Sequence, residues 1–319
     1  MNPRVTILLP VYNGDKYLGE AIDSIINQSF SDFEFLIIDD GSTDGSVKII
    51  ESYNDSRIRL VRNEANLGLI ATLNKGLALA RGEYVARMDQ DDISLPERLK
   101  KQVGFMNQHT DLGICGTWSK TIGEVEKSWL TRFPVGHNEI MSHLLFNTAI
   151  SHPTAMFDMK KFRSLNLNYD INAIHAEDYN LWVKASDYFN LGNVPEVLLL
   201  YRFHRQQTCQ AQSEQQGQTT ATIRKKMLGK MGIVASDDEI KLHLQISNYS
   251  WKKNRQFYVD SKRWFEKLEG MVDPKYKKSV RRECLQRLIQ LHQFVFGPYR
   301  VFERMYLSLI RRTWKNNNG

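Results

Sequence analysis

Three carboxylates stand within four residues at Asp89-Gln90-Asp91-Asp92. Like charges this close repel, and a divalent cation relieves the repulsion because hard oxygen ligands suit magnesium and manganese. A solvated acidic turn, with one Asp capping the next helix, uses the same residues, so the spacing leaves both readings open. A second acidic turn is Asp39-Asp40-Gly41-Ser42-Thr43-Asp44-Gly45. Its glycines permit tight backbone geometry, and Ser42 or Thr43 is placed to cap a following helix. An Asp here can accept hydrogen bonds from a nucleobase edge, although ordinary turns draw on the same residue types. In Pro10-Val11-Tyr12-Asn13, the tyrosine either packs against a base or covers the end of a sheet.

Two later segments carry further chemistry. In Ala176-Glu177-Asp178-Tyr179-Asn180-Leu181-Trp182, the acids suit the positive N-terminal end of a helix. The competing use is as a catalytic base. In Tyr201-Arg202-Phe203-His204, strand alternation sends Arg202 and His204 to one face and Phe203 to the other. A lone histidine is usually structural; one that shares a face with an arginine is a candidate for ligand contact.

These residues need elements to position them. Val5–Val11 reads as a continuous apolar strand, followed by a helix over Tyr17–Asn27 with Leu18, Ala21, Ile22, Ile25 and Ile26 at helical spacing. Phe33–Asp39 and Ile58–Arg62 read as strands, with a helix through Val47, Ile49 and Ile50 between them. A helix over Ile70–Ala80, closed by Gly82, precedes a strand over Tyr84–Met88. Ser94-Leu95-Pro96-Glu97 has the form of a capping box that starts another helix. Alternating strands and helices predict an α/β fold with a mainly parallel sheet covered on both faces. Ligands of such sheets lie beyond the carboxyl ends of the strands, and the polar motifs gather at those ends. Farther on, short strands are expected at Thr154–Phe157 and Val197–Tyr201, and a helix over Glu177–Tyr188. Residues 206–220 read as a loop or linker. The remainder reads as helical, ending in a helix with Phe302, Met305, Tyr306, Leu309 and Ile310 on one face.

Bulk properties narrow the classes. The 319 residues are 42% hydrophobic and 25% charged, as in an ordinary globular protein. No apolar run approaches the roughly 20 residues of a membrane span, and the first strand is too short for a signal-peptide core. Cys115, Cys209 and Cys284 are too few and scattered for a disulfide framework or a zinc site, which fits a reducing cytoplasmic setting. The net charge of +7 is uneven: residues 1–220 carry 21 Lys and Arg against 27 Asp and Glu, and residues 221–319 carry 22 against 9. That basic region could face phosphates of an anionic membrane surface or an acidic lipid-linked acceptor. Nucleic acid is the weaker use, because no recognition motif accompanies the charge.

Taken together, the motifs resemble the family-2 glycosyltransferases with the GT-A fold. Their order carries the resemblance: PVYNG at Pro10–Gly14, IIDDGSTDGS at Ile37–Ser46, Asn66-Leu67-Gly68 before a helix with Asn74, ARGEYVARMDQDD at Ala80–Asp92, Ser151-His152-Pro153-Thr154, AEDYNLW at Ala176–Trp182, and Tyr201–His204. The similarity spans roughly residues 4–205, and its pattern is nearest to bacterial lipooligosaccharide β-1,3-N-acetylglucosaminyltransferases. The resemblance implies an inverting transfer from a UDP-sugar donor to a glycan acceptor, lipid-linked in such systems, with Mn²⁺ or Mg²⁺. It implies that Asp40 meets the uracil edge beside Pro10, Val11 and Tyr12, with Asn66 and Arg202 also on the donor. Asp89 and Asp91 are implied as the acidic metal motif, with Asp91 as the direct ligand and Asp89 as a ribose or water-mediated contact, His204 as a group on metal or diphosphate, and Asp178 as the general base. The expected organisation is a GT-A catalytic domain over 1–215, divided into a nucleotide-sugar half (1–95) and an acceptor half (96–215), then a basic helical region over 216–319.

Three rival readings remain. A nucleotidyltransferase would carry a Gly-rich, basic loop after the first strand, which Asn13-Gly14-Asp15-Lys16 matches poorly. A nicotinamide-dependent oxidoreductase would show G-x-G-x-x-G after a strand, and none occurs. A non-catalytic nucleotide-binding or membrane-surface scaffold would use the basic region alone.

Overall fold

The computed structural model describes residues 2–204 and 213–297. The chain divides into two compact units, residues 1–227 and 228–319. In the first, a nine-stranded sheet has the order β3-β2-β1-β4-β8-β6-β9-β5, with β7 paired to β6. The strands are β1 (Val5–Val11), β2 (Phe33–Asp39), β3 (Ile58–Arg62), β4 (Tyr84–Arg87), β5 (Ile93–Ser94), β6 (Leu112–Gly123), β7 (Leu130–Thr131), β8 (Met156–Asp158) and β9 (Asn190–Phe203). Between them run α1 (Asp15–Ile26), α2 (Ser46–Glu51), α3 (Leu69–Leu79), α4 (Arg98–Gln108), α5 (His137–His143), α6 (Met159–Ser164) and α7 (Glu177–Ala185).

Every residue of β1 and β2 is buried, as a strand covered on both faces must be. Val5, Ile7, Leu9 and Val11 join the core that α1 enters through Leu18, Ala21, Ile22 and Ile25. Leu8, on the opposite face, packs against α3, where a Cβ at Gly76 would come within 2.3 Å of the Leu8 side chain. Alternate residues of one strand thus serve two layers, each buried Leu or Ile contributing roughly 1.5–3 kcal/mol relative to exposure. The α/β architecture is the expected one, with a refinement in the sheet. The run β3-β2-β1-β4 is wholly parallel, whereas β8 is antiparallel to both β4 and β6, and β5 is antiparallel to β9. Parallel pairing therefore holds where the acidic turns leave the sheet.

Several local expectations are corrected. Ser94 caps no helix: it lies in β5, takes a hydrogen bond from Gln28 on its hydroxyl, and α4 begins four residues later at Arg98. A capping box does form elsewhere, at Ser236 and Glu239. Ser42 and Thr43 do not cap α2, because both face the first turn: the Asn13 N–H donates to the Ser42 hydroxyl and the Thr43 N–H to the Asn13 side chain. The α2 N-terminus is met by Asp44, which accepts from the Ser46 N–H. Gly82 does not end α3, which stops at Leu79 with Ala80 extended. Thr154 belongs to a 3-10 turn over His152–Thr154, so β8 starts at Met156. The helix from Glu177 ends at Ala185, whose carbonyl takes the N–H groups of Tyr188 and Phe189 as the chain turns away. Of the loop expected at 206–220, residues 206–212 lie outside the described residues, and α8 (Ser213–Lys230) replaces the rest.

The second unit contains α9 (Asp237–Ser247), α10 (Arg255–Met271) and α11 (Pro274–Phe296). Trp264, Phe265, Leu268, Val280, Cys284 and Leu291 form its buried side. The helix expected at 302–310, like Cys209, lies outside the described residues. Among the described residues no helix is long and apolar enough to cross a membrane.

Gly82 has another function. A Cβ there would sit 2.4 Å from the Thr6 backbone nitrogen and 2.6 Å from the Tyr84 carbonyl oxygen. The Gly82 N–H also donates to the Thr6 hydroxyl, which itself donates to buried Glu34. Gly82→Ala is expected to destabilise the chain by about 1–3 kcal/mol in urea unfolding, as overpacking does. Gly104→Ala, in α4 with open space around it, should instead gain roughly 0.5–1 kcal/mol.

Candidate functional site

The carboxyl ends of β1, β2 and β4 lie side by side, and a network of side-chain bonds builds a crevice over them. The Asp40 N–H donates to the Val11 carbonyl and the Asn63 N–H to the Asp39 carbonyl, extending the ladder past the strands. Gln90 reaches back from the third turn to the first, accepting from the Tyr12 N–H at 2.9 Å and donating to the Tyr12 carbonyl at 3.1 Å. Its amide fills the space that a Cβ on Gly14 would need. Tyr12 keeps an exposed ring, and Pro10 and Val11 lie beneath it in β1.

Asp40 and Asn66 are brought together, but as parts of a scaffold. The Asp40 carboxylate accepts from the Asn63 side chain at 2.7 Å and from the Leu67 and Gly68 N–H groups at 2.9 Å each. Asn66 accepts from the same Gly68 N–H. These bonds hold residues 63–68 and direct the start of α3. The neighbouring Asp39 is fully buried: its Oδ1 accepts from the Ser42 N–H, and its Oδ2, without a hydrogen bond among the described residues, is ion-paired with Arg62 at 3.7 Å.

The acidic motif is set against buried cations. Carboxylate oxygens of Asp89, Asp91 and Asp92 lie within 4.8 Å of one another. Arg87, 2% exposed at the end of β4, holds Asp89 through both guanidinium ends, with Nη1 2.5 Å from Oδ2 and Nη2 on Oδ1. Arg98, also buried, donates to the Arg87 carbonyl at 2.6 Å, and burial lowers its pKa to about 10. Asp92 accepts from the Arg202 N–H at 2.8 Å through Oδ1, whereas its buried Oδ2 has no hydrogen-bond partner among the described residues. Burial, then the charges of Asp89 and Asp91, push the Asp92 carboxyl well up. His204 Nε2 lies 2.9 Å from Asp91 Oδ2. Arg202 donates to the Asp91 carbonyl, pairs with Glu20 and lies over the Tyr17 ring. Three carboxylates, one of them with a buried oxygen that has no hydrogen-bond partner among the described residues, and an imidazole make a donor set that fits a hard divalent cation.

Asp178 opens α7. It accepts from the Tyr179 N–H at 2.6 Å and from the Thr148 hydroxyl at 3.3 Å. Burial raises its pKa, opposed by the Tyr179 N–H and by Arg87. The Asp178 charge in turn adds to the upward push on Asp89, so motifs far apart in sequence share one electrostatic site. Glu177, beside it, is pushed up to about 7 by burial and by Asp178. His152 lies between Tyr169, 2.8 Å from Nε2, and Glu177, 3.8 Å from Nδ1. Burial, then Arg87, holds its pKa well below the usual histidine value.

Residues 6–166 match the family described as Glycosyl transferase family 2. The chain belongs to that family. An uncharacterised glycosyltransferase of Haemophilus influenzae is 33% identical to it over 246 residues, covering 72% of this chain and 76% of the relative. The O-antigen biosynthesis glycosyltransferase WbnJ of Escherichia coli is 35% identical over 213 residues, 64% of this chain and 81% of that one. Among solved structures, S. aureus TarS 1–349 in complex with UDP-GlcNAc superimposes with a TM-score of 0.62 at 18% identity, covering 93% of each chain. That likeness shows the fold, GT-A with helices following the catalytic sheet.

In this family-2 glycosyltransferase, the sequence motifs name the acids but not the residues that hold them: Arg87, Arg98, Gln90 and Asn63. Arg87 was visible as a charge inside an apolar strand, Tyr84–Met88, and that mismatch was the signal. Glu177 supplies a test of the buried acid pair. Its folded pKa of about 7 exceeds the ordinary carboxylate value, so the folded state binds the proton more tightly. Stability from this group is present below about pH 4.5 and is lost as pH rises to about 7. His152 acts in the opposite sense near pH 6.5, so the comparison must be with a variant. Relative to wild type, Glu177→Gln should gain melting temperature progressively from pH 5 to pH 7.5, followed by circular dichroism; a constant difference would show that the shift is absent.

Proposed function

We propose that the protein is a metal-dependent, inverting glycosyltransferase that moves a sugar from a UDP-sugar to a hydroxyl of a bacterial surface glycan such as lipooligosaccharide or capsule. GlcNAc, or another hexose or N-acetylhexosamine, is the proposed sugar, with β-1,3 transfer as the finer reading from the sequence motifs. The observation that carries the reading is the meeting of the Asp89–Asp92 cluster and Asp178 around one buried guanidinium. WbnJ, named for O-antigen biosynthesis, supports the acceptor class, and the UDP-GlcNAc complex of TarS supports the donor class.

In this reading the donor base lies over Pro10, Val11 and the Tyr12 ring, with Asp40 and Asn66 shaping its pocket and Asp39, ion-paired with Arg62, beside them. Asp91 and His204 hold Mn²⁺ or Mg²⁺, Asp89 faces the ribose or a bound water, and Arg202 faces the diphosphate. When bound, the cation neutralises charge that gathers on the departing diphosphate. Asp178 takes the proton of the acceptor hydroxyl as its oxygen attacks the anomeric carbon and the bond to UDP breaks. The raised pKa makes it a stronger proton acceptor than an exposed aspartate. One direct displacement inverts the anomeric centre. The proposed division is a catalytic domain over 1–215 and a basic helical region over 216–319. That region would place the enzyme on the inner face of the plasma membrane beside a lipid-linked acceptor, with exposed Phe294 and Phe296 leading into it.

Asp178→Asn should keep donor binding by calorimetry while turnover falls about 10²–10⁴-fold; unchanged turnover would remove Asp178 from this role. A panel of UDP- and GDP-sugars, read by nucleotide release with Mn²⁺, should show UDP release above all. Release of GDP alone would overturn the donor assignment. Full-length protein should float with anionic liposomes and a chain truncated before Phe294 should not; equal partitioning counts against membrane attachment.

A further inference from the structure

A charged residue in a strand buried on both faces is costly unless its charge is met. Arg87 is such a residue, and the group that meets it is a member of the acidic motif itself. Both oxygens of Asp89 are engaged by its two terminal nitrogens. The backbone that carries the guanidinium is fixed, and the side chain is buried: the Arg87 N–H donates to the Ala155 carbonyl, its own carbonyl accepts from Arg98, and β4 is held between β1 and β8. Arginine also stays charged at any working pH. The Asp91 carboxylate, by contrast, meets the His204 ring through Oδ2 and no arginine side chain among the described residues, and Asp92 keeps one oxygen without a hydrogen-bond partner among them.

We propose that Arg87 is a positioning residue that withholds Asp89 from the divalent cation, leaving the cation to Asp91 and His204. This rests on the reading that the cluster binds such a cation. A guanidinium and a divalent ion compete for the same carboxylate oxygens. The protein's own fixed cation therefore sets which acid the mobile one can take, and where it comes to rest. Its charge also acts on Asp178 and Glu177, where it opposes the upward push of burial.

The competition gives a signature that a purely structural arginine lacks. Arg87→Gln frees Asp89 to chelate, so Mn²⁺ should bind about tenfold more tightly in calorimetry, the low end of effects seen for groups that hold a metal ligand. The same variant should turn over at least about tenfold more slowly with little change in donor KM, because the cation is drawn off its working position. In the double variant Arg87→Gln/Asp89→Asn, Mn²⁺ affinity should return to the wild-type value. Arg87→Lys, which keeps the charge but only one point of contact, should lie between and decides the matter if the glutamine variant does not fold. Unchanged or weaker Mn²⁺ binding in the folded variants overturns the role of Arg87. Absence of Mn²⁺ uptake by wild-type protein would instead overturn the functional reading on which it depends.

Discussion

Charge compensation at the carboxyl end of β4 is the constraint on which the rest of the site depends. Asp89 and Asp91, both half-buried, crowd together with fully buried Asp92, and Glu177 and Asp178 add two more acids nearby. Water would screen such a cluster; a protein interior does so only with opposing charges or hydrogen-bond donors. Arg87 and Arg98 supply the charges from beneath, and the Arg202 N–H and His204 supply donors from β9 and its end. The β9 strand reaches that position because it pairs with both β6 and β5, which carries residues 202–204 across to the acidic turn. The sheet topology thus has an electrostatic purpose, since it delivers counter-charges from distant sequence to one point.

This arrangement explains why the two halves of the sheet differ. The parallel half presents turns, and each turn is fastened to its neighbour: Asn13 to Ser42 and Thr43, Gly14 to Ser46, Tyr12 to Gln90. The mixed half presents side chains from helix starts and strand ends, namely Asp178 and His204. Under the proposed function, the first half would hold the nucleotide against the sheet and the second would supply Asp178 to the acceptor and His204 to the cation.

Much of the parallel half was legible in the sequence. Short runs rich in apolar and β-branched residues read as strands, so Val5–Val11, Phe33–Asp39 and Ile58–Arg62 coincide with β1, β2 and β3. That the acids of Asp89–Asp92 gather at the end of a strand was legible as well, and the structure brings their carboxylates within 4.8 Å of one another. Long-range pairing was not. Gly192, Asn193, Pro195 and Glu196 interrupt the apolar pattern of β9, a strand held by its partners and by bulges in its register with β6. Ser94 failed as a cap for the same reason: Gln28, 66 residues away, claims its hydroxyl. Asp40 shows the limit for function. Its residue type fits a nucleobase, yet the three donors that converge on it come from residues 63–68, and no local pattern reveals them.

The shared amide of Gln90 has a consequence for how ligands are felt. It belongs to the acidic turn by chain position and, by hydrogen bonding, to the turn after β1 where the nucleotide is proposed to sit, accepting from the Tyr12 N–H and donating to the Tyr12 carbonyl. A rigid link of this kind makes two binding events one thermodynamic system. Whatever preference for the cation a seated nucleotide creates, the cation must return in equal measure to the nucleotide.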